Sequence, residues 1–199
     1  MSSRSSNAAI NVTPLANAVV SALGALVVIA ALAGCRSAGP YGYAAQYAPT
    51  SEEKSAVEGA REYDPVMYGR EADAWRKSKV VLFGVVTSRA PGPGGAAYLT
   101  VKVRKLDTRN LCSNANDEDT CRVTVSDRDF GVVHVLTKLR PEDDMGEHSA
   151  SVGSLIRAVG MFGEDVDPAD GAPIMRASFY RHWPRYFFVT RASADLMRQ

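Results

Sequence analysis

The chain has 199 residues, with 23 Lys+Arg against 22 Asp+Glu, 46% apolar residues and three cysteines. That length excludes a large multidomain enzyme, and the near-neutral balance lacks the Lys/Arg excess of a general nucleic-acid binder. These averages conceal a division. Residues 1–34 carry a single charge, Arg4, and every aromatic side chain lies beyond residue 40.

In chain order, the first element is the apolar segment 18–33, AVVSALGALVVIAALA, interrupted only by Ser21 and Gly24. Its length suits the hydrophobic region of an export signal, and counted back to Leu15 it approaches the roughly 20 residues of a membrane span. Hydropathy alone leaves both readings open. The segment closes on Leu32-Ala33-Gly34-Cys35. This run resembles the lipobox of bacterial lipoproteins: an aliphatic residue, two small residues, then cysteine. Small side chains let the backbone enter a peptidase cleft, and the thiol alone can take a thioether-linked diacylglycerol. The resemblance implies removal of 1–34 as a signal peptide, acylation of Cys35 and stable anchoring through more than one chain. Arg36 stands where an Asp would hold such a protein at the inner membrane, which implies the outer membrane. The alternative is an uncleaved helix in the inner membrane.

Residues 35–49 are rich in Gly, Pro, Ala and Tyr. They read as a flexible tether with a reach of roughly 20 Å. In that reading Tyr41, Tyr43 and Tyr47 are solvated, the alternative being rest at a membrane interface. A helical preamble, 50–78, follows. Thr50-Ser51-Glu52-Glu53 is a capping-box pattern that predicts a helix over 51–63, stopped by Asp64-Pro65. A second short helix is expected over 69–78, with Ala72 and Trp75 turned toward a core. Both are expected to pack loosely.

From residue 79 the period becomes strand-like. Strands are expected at 80–88, 97–106, 121–126, 132–137, 155–162, 174–181 and 186–190, separated by turn-rich gaps and an irregular crossing segment, 138–152. Within 97–106, Leu99, Val101 and Val103 share one face and Thr100, Lys102 and Arg104 the other. Gly84 and Gly160 interrupt apolar strands, as bends and bulges do. The layout over 79–191 resembles an OB-fold, and more distantly the Slp-type outer-membrane lipoproteins. The expected fold class is therefore mainly β, a small OB-like barrel preceded by one or two short helices, with an open β-sandwich as the alternative. Residues 192–199 read as a tail.

With Cys35 assigned to lipid, Cys112 and Cys121 remain as an even pair. In an exported chain they are expected to form a disulfide at the neck of a hairpin loop. Closing that loop would contribute roughly 2–3 kcal/mol. No cysteine or histidine pair has zinc-ligand spacing, so no metal and no cofactor is expected. The acidic loop 114–119 and the acidic turn at Glu164, Asp165, Asp167 and Asp170 read as solvated, with a Ca²⁺ site as the alternative at each although neither has the spacing of a calcium loop. Glu142-Asp143-Asp144 with Glu147-His148 reads as one solvated face. His134 reads as a packed or edge histidine. The sequence contains no G-x-S-x-G, H-E-x-x-H or P-loop pattern.

The stretch 176–191 is dense in arginine and aromatic residues. In an extended strand Arg176, Tyr180 and His182 share a face, and with Arg185 they form a candidate basic-aromatic ligand strip of the kind OB-folds use for stacking. The alternative is a hairpin packed through its aromatics. The expected function is a non-catalytic binding or structural role in the cell envelope. The membrane is engaged through the anchor, with an envelope protein or glycan as partner and no nucleic acid. Alternatives are an envelope hydrolase whose site is assembled from distant strands, and an accessory subunit of an envelope complex.

Overall fold

The computed structural model describes residue 41 and residues 44–197. The apolar segment 18–33, the lipobox and most of the stretch before residue 44 lie outside the described residues. Among the described residues, no helix is long and apolar enough to cross a membrane.

The chain enters through a short helix α1, Ser51–Val57, a two-residue strand β1, Arg61–Glu62, and two further helices, α2, Pro65–Arg70, and α3, Ala72–Arg76. Strands β2, Val80–Pro91, β3, Ala97–Arg104, β4, Leu106–Cys112, β5, Cys121–Val125, and β6, Val132–Thr137, follow. After the crossing helix α4, Pro141–Asp144, come β7, Leu155–Val166, β8, Pro173–Trp183, and β9, Phe188–Thr190, then a terminal turn of helix, α5, Ala194–Met197.

Five strands close on themselves. β2 pairs antiparallel with β3 along one edge and with β7 along the other, Gly84 facing Val103 and Ile156. β3 pairs antiparallel with β6, β6 parallel with β8, and β8 antiparallel with β7. The order β2-β3-β6-β8-β7 and back to β2 is OB-like: the first strand is shared, and the third and fifth run parallel. A closed ring leaves no place for the open sandwich.

The pattern of the strands explains the packing. In β3, Leu99, Val101 and Val103 are buried, and the alternate residues Thr100, Lys102 and Arg104 are not. β2 is apolar on both faces because both are covered. Val80, Leu82 and Val86 join the interior of the ring, while Phe83 joins a second core with Val123, Leu155 and Trp183. The two mid-strand glycines sit where backbones approach too closely for a side chain. A Cβ on Gly84 would lie 2.6 Å from the Lys102 carbonyl oxygen, and one on Gly160 would lie 2.7 Å from the Ala177 Cα. The ladder shifts register at Gly160, the bulge its sequence position signals.

Several expectations are corrected. The helix over 51–63 ends at Val57, because Gly59 takes a left-handed φ of 70° and the chain turns into β1 beside β2. The helix over 69–78 is two short helices. Asp64-Pro65 starts the first of them: the Asp64 carboxylate accepts from Val66 and Met67 N–H, with Pro65 in the first turn. The preamble does not pack loosely, since Tyr63 and Trp75 belong to the main core. Residues 121–126 do not continue the ring. β4, β5 and β9 form a separate three-stranded sheet, with β9 parallel to β5. The third ring strand is β6.

The described part of the stretch read as a tether is held to the domain. Asn110 Nδ2 donates to the Ala44 carbonyl, Asn110 N to that of Ala45, and Tyr47 N to that of Thr108. Trp183 Nε1 donates to the Tyr41 carbonyl at 2.8 Å. Tyr47 packs edge-on against Phe83. The reason is apolar area: Tyr41 and Tyr47 cover the second core that the small sheet leaves open.

Candidate functional site

Three clusters of polar and charged side chains are built into this frame. The first surrounds Glu53. The capping box is present, with Thr50 Oγ1 accepting from Glu53 N and Glu53 Oε2 accepting from Thr50 N. Glu53 has no solvent exposure. Its carboxylate accepts from Arg181 on β8 at 2.8 Å, from Arg157 on β7 and from the Tyr47 hydroxyl. Burial opposes its charge, but these donors outweigh burial and hold the carboxyl below the usual glutamate range. Burial, and then the Glu53 charge, push the Tyr47 phenol up, so it stays a donor.

The second cluster covers the candidate ligand strip. Tyr180 and His182 are buried beneath the crossing segment. The Tyr180 hydroxyl donates to Asp143 Oδ2 at 2.6 Å and accepts from Arg140 N at 2.7 Å. Its phenol is pushed up to about 12, first by burial and then by the Asp143 carboxylate. His182 Nε2 lies 2.7 Å from the His148 carbonyl, and its Nδ1 lies 3.3 Å from Asp143 Oδ1. Arg176 and Arg185 remain exposed on β8 and in the turn after it. The four residues therefore do not form one exposed strip: α4 lies over its middle. Asp143, read as part of a solvated face, is the buried centre of this contact.

The third cluster lies on the β3–β6 face, where the β7–β8 loop folds over it. His134 on β6 is 4% exposed. Its Nε2 is 3.1 Å from both carboxylate oxygens of Asp170 and 3.8 Å from Asp167 Oδ2. Its Nδ1 is 3.3 Å from Thr100 Oγ1, and Tyr98 stacks on the ring with centroids 5.1 Å apart. The Tyr98 hydroxyl donates to Asp167 Oδ2 at 2.6 Å. Asp167 is held below the usual carboxylate range by that bond and by Ala169 N–H, and Asp170 by Ala172 N–H and His134. Sequence reading separated the histidine from the acidic turn. They meet because β6 pairs with β8, which places His134 beside Ile174 at the end of that loop.

Cys112 and Cys121 are disulfide-bonded, opposite one another in the β4–β5 ladder. The acidic loop between them is organised by its own side chains: Asn116 N donates to Asn114 Oδ1, and Asp119 N to Asp117 Oδ1. Cys35 lies outside the described residues. No protein-family model matches the chain, and a search of curated proteins gives no match.

Proposed function

We propose that this chain is a lipoprotein of the cell envelope, anchored through Cys35 at the outer membrane, whose OB-like domain has a binding or structural role without catalysis of its own. One observation carries the reading. Of three cysteines, Cys112 and Cys121 are consumed by each other in a disulfide, and Cys35 stands apart at the end of an apolar segment and two small residues. A disulfide accords with an exported chain, and the surroundings of Cys35 are those that acylation requires. The structural role is supported by how the buried charges are used. Glu53 and Asp143 tie α1 and the crossing segment to the ring, and their hydrogen-bonding capacity is spent on those ties. A protein or glycan of the envelope is the proposed partner.

Mass spectrometry of the mature amino terminus tests this directly. The expected product begins at Cys35 and carries diacylglycerol and an amide-linked acyl chain. A product beginning at Met1, or an unmodified Cys35, refutes the anchoring.

A further inference from the structure

We propose that His134, Asp167 and Asp170 form a binding site for a divalent transition-metal ion, Zn²⁺ foremost, on the β3–β6 face of the ring. The inference stands independently of the anchoring at Cys35.

The geometry is that of one imidazole and two carboxylates around a common point. One ligand atom from each residue lies within 4.8 Å of the others. Two ligands about 2.1 Å from an ion, with angles near 90–110°, lie roughly 3.0–3.4 Å apart. His134 Nε2 is 3.1 Å from Asp170 Oδ2 and 3.8 Å from Asp167 Oδ2. The His134–Asp170 separation already lies in that range, and the Asp167 side chain would have to draw closer for the set to coordinate one ion.

This is more than an acidic turn. Its centre is a buried imidazole whose Nε2 is aimed at carboxylate oxygens, and these only accept. Thr100 Oγ1 lies 3.3 Å from Nδ1 and can accept a proton carried there when Nε2 holds an ion. With the proton on Nδ1, the Nε2 lone pair joins two carboxylates as a donor set for a cation; with the proton on Nε2 the same contacts are hydrogen bonds to Asp170, and a bound ion would take that proton's place. The supporting contacts are those a metal centre uses. The imidazole has an oxygen partner on its far nitrogen. Asp167 is oriented by the Tyr98 hydroxyl and Ala169 N–H, and Asp170 by Ala172 N–H at 2.9 Å. A nitrogen ligand beside two carboxylates selects a borderline ion such as Zn²⁺ over Ca²⁺ or Mg²⁺, which take oxygen sets. Three protein ligands leave at least one position for water or for a group on a partner. Bound there, the ion would clip the β7–β8 loop onto the β3–β6 face.

The test uses the full chain purified in detergent without a histidine tag, stripped by a chelator and titrated calorimetrically with Zn²⁺. One saturable site per chain is expected, with Ca²⁺ failing to compete. His134→Ala and Asp170→Asn should each weaken binding at least tenfold. Asp170→Asn keeps the Oδ1 that accepts from Ala172 N–H, so the loop survives and the loss reports on the ligand. His148→Ala, at an exposed histidine, should leave binding unchanged. A titration with Co²⁺ should give visible bands without thiolate charge transfer, which separates this site from any cysteine binding. The proposal is overturned if no saturable site appears, or if binding is indifferent to His134→Ala and Asp170→Asn. It is equally overturned if NMR shows His134 exchanging a proton with the carboxylates and not responding to Zn²⁺, because the cluster is then a proton-bridged latch.

Discussion

Replacing Glu53 with Gln removes one negative charge from a position without solvent access and leaves the side-chain volume almost unchanged. Two guanidinium groups, Arg157 and Arg181, then lose their shared counterion inside the protein. Breaking a buried ion pair from one side costs about 3–5 kcal/mol. The Arg157 and Arg181 side chains keep 13% and 8% exposure, so water reaches part of each and the lower end applies. A loss of about 3 kcal/mol lowers the melting temperature of a domain of this size by roughly 6–12 °C. Urea unfolding followed by tryptophan fluorescence measures it, since Trp183 lies in the adjoining core. The pH dependence adds a second readout. The folded carboxyl is held below its ordinary value of 4.5, so its stabilisation is complete above that value and is lost as pH falls through the folded one. Glu53→Gln should therefore flatten the acid side of the stability curve below about pH 4.5 while lowering the plateau at neutral pH. Replacing Glu53, Arg157 and Arg181 together with Met should recover much of the loss. A cost for Glu53→Gln below about 1 kcal/mol, with an unchanged acid limb, would refute the assignment of Glu53 as the tie between α1 and the ring.

Cys112→Ser should lower stability by about 2–3 kcal/mol under oxidising conditions, and reductant should then have no further effect on the variant. Gly160→Ala places a methyl group against the backbone of β8 and should cost about 3 kcal/mol or more in chemical denaturation; an unperturbed variant would mean that the bulge relaxes freely. Tyr180→Phe leaves the buried Asp143 carboxylate short of a donor, and thermal melts should show a loss of about 1–3 kcal/mol. Thr50→Ala removes the N-cap acceptor and should cost about 1 kcal/mol by the same measurement.

What could be read from sequence was whatever repeats locally. The alternation in β3 and the apolar run in β2 carry their burial in their own residues, and the glycines at 84 and 160 announced a bend or bulge, which the register shift at Gly160 is. β4 was invisible for an equally local reason. Its ladder to β5 shifts register between Asp107 and Leu111, so its side chains alternate poorly and its polar residues look like loop. The side sheet needs β9, which pairs with β5 across most of the second half of the chain, and no spacing signals such a partner. Glu53 was legible as a capping residue, because its partner Thr50 is three positions away. It was not legible as a buried charge, because Arg157 and Arg181 are not neighbours in the chain. His134 and Asp170 are separated by 36 positions and meet only through the parallel pairing of β6 with β8. The candidate strip failed as a continuous surface because facing directions on one strand say nothing of what the crossing segment lays over it.

The tie at Glu53 also bears on the order of events during synthesis. Glu53 is separated from Arg157 by 104 positions and from Arg181 by 128. A chain delivered amino terminus first holds that carboxylate in water until β8 has emerged, and β2 likewise waits for β7 to complete its second edge. The first helix of the domain is thus among the last elements to be secured by its charge. A nascent chain cut before Arg157 holds neither cationic partner of Glu53, so α1 is untied from the ring even where β1 and the segment around Tyr47 already have their partners in β2 and β4.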